Sequence, residues 1–286
     1  MSDDTPQVDS GGIPFSGRQL SDPGFAGDSG ASDPEVVAAL EALTRNGRTE
    51  DVRQVLRLLA SARVIVPVVA APPGTVVQHH DKGDDHGHDE HGHDHDGHEG
   101  HGHGAHDVPS NGTEMATITL TSPDGHKAMP VFTGVETLAA WDASARPSPT
   151  LVPDVARSAV EDGCDTLLVD LGAPHAAALP MSHLWALAEE REWTPPHEDP
   201  IVRLAVAEAA QGIDGLVRAR AEDGAATHGP GVLRLVLVLQ PGLDQQALDR
   251  IVSTMGERLA SQPEVRIRID DLAVVLHHPE ADVEGA

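Results

Sequence analysis

Residues Met129 to Trp141, MPVFTGVETLAAW, constrain the fold most, because they hold a strand end, a helix start and a device joining the two. Met129, Val131 and Phe132 suit an extended segment. Thr133 followed three residues later by Glu136 reads as a capping box ahead of Leu138, Ala139 and Trp141. Thr133 is expected to accept an orphan amide of the first turn, and Leu138 and Trp141, three apart, to face a sheet. The expectation is a strand running directly into a short helix.

Upstream, Ser32 or Asp33 can cap a helix with Pro34 in its first turn, carrying Val36, Val37, Leu40 and Leu43 and ending at Asn46-Gly47. Thr49 is expected to cap a second helix, with Val52, Val55, Leu56 and Leu59 on its apolar side. The run VIVPVVA at Val64 to Ala70 reads as a buried strand, which Pro67 demotes toward a sheet edge or a bulge. Ala116 to Thr121 alternates, Ser122-Pro123-Asp124-Gly125 is a strong turn, and Lys127 to Phe132 follows; together they predict a β-hairpin. Then come a strand at Pro149 to Val152, a helix starting near Pro153-Asp154 and closed by Gly163, and a buried strand at Asp165 to Leu171. An extended piece at Ala177 to Pro180 precedes a helix capped by Ser182.

Glu192 to Asp199, EWTPPHED, has the composition of a linker. Beyond it the pattern predicts a helix at Ile201 to Ala210, strands at Ile213 to Ala221 and Val232 to Gln240, and a long helix capped by Asp244. Val265, Ile267 and Ile269 alternate with charged residues and predict a final strand with one wet face. This order suits helices on one side of a mostly antiparallel sheet. The fold class is α+β: two small α/β-layer domains with mixed or antiparallel sheets. The expected partition is a disordered tail at 1–33, a first domain at 34–192 interrupted by a His/Asp/Gly-rich insertion at 72–114, a linker at 193–199, a second domain at 200–278 and a tail at 279–286. The tail and the insertion are too polar to offset their ordering entropy by burial.

About half of the formal charge of −27 falls in those biased segments: 1–33 carries six acids against Arg18, and 79–107 nine against Lys82. An acidic chain without a basic, aromatic-studded face disfavours nucleic acid and anionic lipid as partners. The start MSDDTPQ lacks a basic and an apolar region, and no stretch approaches the ~18 apolar residues of a membrane span, so a cytoplasmic address is expected. The lone Cys164 cannot form an intramolecular disulfide.

The strand VIVPVVA, the stretch MPVFTGVETLAAW and the strand DTLLVDL with LPMSHLWAL behind it resemble the N-terminal domain of the SseB-like family over roughly Glu35 to Glu192. The most specific piece is Pro130-Val131-Phe132-Thr133 with Trp141. The resemblance implies a bacterial cytosolic protein of α+β fold with a non-catalytic role, and it supplies no catalytic residues. Two features depart from the family pattern. Asp170-Leu171-Gly172 stands where the family often has Asn-Pro after the strand, and the histidine insertion is not a family feature.

That insertion holds the candidate metal ligands: His79, His80, His86, His88, His91, His93, His95, His98, His101, His103 and His106. Neutral imidazole binds Zn2+, Ni2+ and Cu2+, and Asp89, Asp94, Asp96 and Glu99 can complete coordination. Glycines between them leave no fixed geometry, so several interchangeable sites of modest affinity are expected, not a catalytic centre. The same HD and HG repeats also suit low-complexity sequence in a tolerant loop. Flanking Asp162 and Asp165 should raise the thiol pKa of Cys164 and leave it inert. His126, His175, His183, His197 and His228 have no partners at catalytic spacing, His277-His278 ends the last strand, and no phosphate loop, nucleophile elbow, HExxH or CxxC occurs. The leading expectation is therefore a non-enzymatic cytosolic binding or adaptor protein that needs no cofactor and meets another protein. The alternative is a metal-buffering or metallochaperone protein working through the loop with Zn2+ or Ni2+, and a hydrolase or transferase with scattered active-site residues is third.

Overall fold

In α1 (Pro34–Asn46) the chain follows its local signals: the Asp33 carboxylate accepts the Glu35 amide at 2.8 Å, Pro34 fills the first turn, and Gly47 at φ 60° closes the helix. A computed structural model describes residues 25, 27–71, 77–79, 114–225, 229 and 231–277. The predicted tail through residue 24, almost all of the predicted insertion and residues 278–286 lie outside them. In α2 (Thr49–Leu59) Thr49 is the first helical residue and not the cap. The Asp51 carboxylate instead accepts the amide of Arg48 at 3.3 Å.

Seven strands form the first sheet: β1 (Arg63–Ala71), β2 (Val77–His79), β3 (Glu114–Thr121), β4 (Lys127–Val131), β5 (Arg146–Leu151), β6 (Thr166–Val169) and β7 (Ala177–Pro180). Their order is β5-β1-β3-β4-β6-β7, with β2 beside β3. The predicted hairpin is present as antiparallel β3 and β4, turned at Gly125 with φ 89°. β4 and β6 run parallel, so the sheet is mixed.

β1 is interior, paired to β5 on one side and to β3 on the other, which corrects the edge position that Pro67 suggested. Its proline is accommodated by a seam in the pairing. Ile65 exchanges both backbone hydrogen bonds with Phe132, and pairing to β3 begins only at Val68. By the strand's period of two, the missing amide of Pro67 points into the gap between those partners. Opposite it in the β5 ladder stands Pro147, two residues from Pro149. Since Val64 and Val66 turn their amides to β5, Pro147 and Pro149 face outward, and the exposed edge of β5 lacks two donors.

One face of the sheet is covered by α1, α2, α4 (Val152–Glu161) and α5 (Met181–Ala188). Val64, Val66, Met129, Val131, Leu167, Val169 and Leu179 enter that core. On the other face Ile65 joins Phe132, Leu138 and Ala145 beside α3 (Val135–Trp141). Burial on both faces explains why β1 reads as an unbroken apolar run.

The second layer is a three-stranded sheet, β8 (Leu216–Asp223), β9 (Val232–Leu239) and β10 (Asp271–His277), in the order β10-β9-β8. β9 is antiparallel to β8 but parallel to β10, so this sheet is mixed where a mostly antiparallel one was expected. α6 (Pro200–Ala209), α7 (Gln245–Ala260) and α8 (Pro263–Arg266) cover one face. Leu233, Leu235, Leu237 and Leu239 pack there against Val202, Ile251, Met255 and Leu259. The strand predicted at Val265 to Ile269 is absent. Pro263 in the first turn favours a helix, and Val265 and Ile269, four apart, both reach this core from a helical turn.

Candidate functional site

The C-terminal ends of parallel strands β4 and β6 lie side by side, and the residues just beyond them, Thr133 and Asp170, form the most polar buried cluster of the first layer. Asp170 is fully buried, with φ 51° in the left-handed region that Asp tolerates better than most residues. One carboxylate oxygen accepts the Thr133 amide at 2.7 Å. The other accepts the Thr133 hydroxyl at 2.7 Å and approaches His175 Nε2 at 2.9 Å. The Thr133 hydroxyl lies 2.8 Å from the Ser32 hydroxyl, and its carbonyl accepts from Arg63 at 2.8 Å.

The capping box expected of Thr133 and Glu136 is therefore not formed. Gly134 caps α3 and the Thr137 hydroxyl accepts its amide at 3.3 Å, while Thr133 is committed to Asp170. A buried carboxylate offers a stronger acceptor than the exposed side chain of Glu136, and Thr133 follows it.

Beside this cluster an open cleft of about 700 Å³ runs along β3, β4 and β6 on the face that α3 leaves uncovered. Leu120, Ala128, Leu168, Trp141 and Leu171 supply apolar walls, and Lys127, His126 and Asp165 stand at the rim. His126 Nδ1 meets the Asp165 carboxylate, and that hydrogen bond raises the His126 pKa above its ordinary value. Trp141 is held at the cleft by its ring contact with Phe132, 5.3 Å between centroids.

A second buried polar group joins the two layers. Ser182, expected to cap α5, lies inside that helix, and Pro180 occupies the cap position. The Ser182 amide donates to Asp270 at 2.8 Å, its hydroxyl donates to the other Asp270 oxygen, and Trp193 Nε1 donates to the Ser182 hydroxyl at 3.0 Å. Burial pushes the Asp270 pKa up, and the Ser182 hydrogen bonds pull against that rise. Next to it His183 is 3% exposed and packs edge-on against Trp193 at 4.7 Å. Burial lowers its pKa to about 3, so the ring is neutral at ordinary pH. Gly231, at φ 85°, brings backbone against this group: a Cβ there would lie 3.7 Å from His183 Nε2. Asp199 lies beside the same group, capping α6 through the Ile201 amide at 2.8 Å and pairing with Arg268 at 3.3 Å.

Of the predicted metal ligands, His79 ends β2, paired in the β3 ladder opposite Leu120. His80, His86, His88, His91, His93, His95, His98, His101, His103 and His106 lie outside the described residues, as do His228 and His278. Among the described residues no three His, Cys, Asp or Glu side chains converge as around a metal ion. Cys164 is fully buried, and burial, with Asp162 second, pushes its thiol pKa up. His126, His175, His183 and His197, which the sequence presents as isolated, all have partners in the structure: Asp165 for His126, Asp170 for His175, Trp193 for His183, and Glu198 and Asp223 for His197. None of these partners stands at a catalytic motif spacing.

The SseB protein N-terminal domain model matches residues 36–186, a span that runs from within α1 through most of α5 and takes in Arg63, Thr133, Asp170 and His175. No curated protein and no solved structure matches the chain. Through that domain, the chain belongs to the SseB family.

Proposed function

We propose that this protein acts by binding, as a non-enzymatic cytosolic adaptor, and that the β3–β4–β6 cleft receives an apolar side chain from a basic segment of a partner protein. The observation that carries this reading is the cleft itself: an apolar floor of Leu120, Leu168 and Leu171 beside Trp141, with an exposed His126–Asp165 pair on its rim. Aromatic anchors ringed by polar groups are the residues that concentrate binding energy in interfaces. The formal charge of −27 favours a cationic partner and accelerates its encounter. The neighbouring polar cluster supports binding over turnover, since both Asp170 oxygens are occupied by Thr133 and His175 and the carboxylate is out of reach of solvent. The test is affinity capture with the full chain beside Leu168→Glu and Leu171→Glu variants of unchanged melting temperature. A partner held by the wild type and released by both variants is the expected result. Equal retention by the variants, or turnover in an activity screen, overturns it.

A second reading rests on the eleven histidines between His79 and His106: buffering of Zn2+ or Ni2+ by the insertion. Because His79 belongs to the β3 ladder, the informative deletion removes residues 80–106 and leaves β2 in place. Titration calorimetry should show uptake of several equivalents by the intact chain and its loss in the deletion. Uptake should also fade as pH drops through about 6.5, where imidazole protonates. Equal uptake by both chains rejects this reading.

A further inference from the structure

The sheet edges of the described residues differ in how open they are. β5 turns two prolines outward, β7 is four residues long and ends in Pro180, and β8 is irregular between Leu216 and Arg218 and carries Arg218, Arg220, Glu222 and Asp223. Those are the devices by which proteins keep edges from pairing. β10 has none of them. It is seven residues long, DLAVVLH, without proline, lysine or a shift in register, and it is the terminal strand of its sheet. Val274 and Leu276 on it are 37% and 43% exposed.

We propose that β10 is a homodimer interface, pairing antiparallel with β10 of a second copy about a two-fold axis through Val274. A two-fold contact must be self-complementary, and this strand is. Centring on Val274 sets Asp271 opposite His277, Leu272 opposite Leu276 and Ala273 opposite Val275, so the acidic start of each strand meets the histidine end of the other. Leu272, Val274 and Leu276 share one face, because they register with Leu233, Leu235 and Leu237 on the helix-covered side of β9. That face opens on a groove of about 240 Å³ bounded by Gly256, Leu259, Val265, Ile269 and Leu272. Leu276 of the second copy, set opposite Leu272, enters this groove. The result is a continuous six-stranded sheet with the two exposed apolar side chains of each copy buried.

Sedimentation of the full chain up to about 100 µM, a range that captures micromolar dissociation constants, is expected to show a dimer. Val274→Lys sets two like charges on the axis and should give a monomer at every concentration, with an unchanged circular dichroism spectrum. Val274→Cys tests the register without depending on that substitution. Paired Cα atoms about 4.5–5.5 Å apart fall within disulfide reach, so mild oxidation should cross-link two copies through this cysteine, Cys164 being fully buried. A monomer throughout the range, a dimer that survives Val274→Lys, or a dimer that Val274→Cys fails to cross-link overturns the proposal.

Discussion

Asp170 is held in the left-handed region by hydrogen bonds from Thr133 and His175. Truncation to alanine therefore both strains the backbone and strands buried donors. Asp170→Ala should cost about 2–4 kcal/mol of stability, read from urea unfolding, whereas Asp170→Asn should cost less, because asparagine tolerates the same φ and can still accept the Thr133 amide. A loss below about 0.5 kcal/mol for alanine would contradict the buried network. His183 makes a prediction of opposite chemistry. Its folded pKa of about 3 lies below the unfolded value of 6.5, so the unfolded chain binds the extra proton between those limits. Stability is complete above pH 6.5 and declines as pH falls toward 3, by up to about 1.4 kcal/mol per pH unit. Asp270, with its pKa raised, acts in the other direction: stability falls as pH rises above the usual carboxylate value toward its folded pKa. The comparison must therefore be made between wild type and His183→Phe, which keeps the contact with Trp193. Urea midpoints that fall in parallel from pH 7 to 4 in both proteins would show that His183 does not carry the effect.

At the scale of elements, long periodic patterns were legible and short ones were not. α7 was readable because Ile251, Met255 and Leu259 repeat every four residues behind the Asp244 cap, whose carboxylate accepts the Ala247 amide at 2.8 Å. The alternation of Val265, Ile267 and Ile269 misled because three residues cannot separate a period of two from one turn of helix, and Pro263 was the deciding signal. Thr133 and Ser182 read as caps but are not, for a shared reason: their carboxylate partners, Asp170 and Asp270, are 37 and 88 residues away, while capping rules see only the nearest turn. Pro67 sits in an interior strand because the rule that puts prolines at edges assumes unbroken ladders, and β1 changes partner at that residue. The prolines of β5 supply the prediction for this scale. Pro147→Val with Pro149→Val restores two outward amides to an edge strand, and should increase light scattering on prolonged incubation while native circular dichroism is retained. Scattering equal to wild type would show that some other feature protects this edge.

Across the molecule, the two layers have separate apolar cores, and polar pairings join them: Ser182 with Asp270, and Arg53 of α2 with Glu198, beside the α6 cap, at 2.6 Å. None of those pairings was visible in the sequence, where Glu192 to Asp199 reads as a linker. In the fold Trp193 is 5% exposed and Asp199 8% exposed within that segment. Removing one partner of such a buried pairing leaves the other unsatisfied, which costs more than the pairing contributes. The chain carries its own reporters of that coupling. Of its three tryptophans, Trp141 and Trp185 lie in the first layer and Trp193 in the polar seam itself, so fluorescence follows the first layer and the seam while far-ultraviolet circular dichroism follows both layers. In the wild type the two probes should give one urea midpoint, the signature of a single transition. Asp270→Ala leaves the Ser182 amide and hydroxyl without their acceptor and frees the layers to unfold independently, so the two midpoints should separate. Probes that already disagree in the wild type, or that still coincide in Asp270→Ala, would mean that the seam does not couple the two cores.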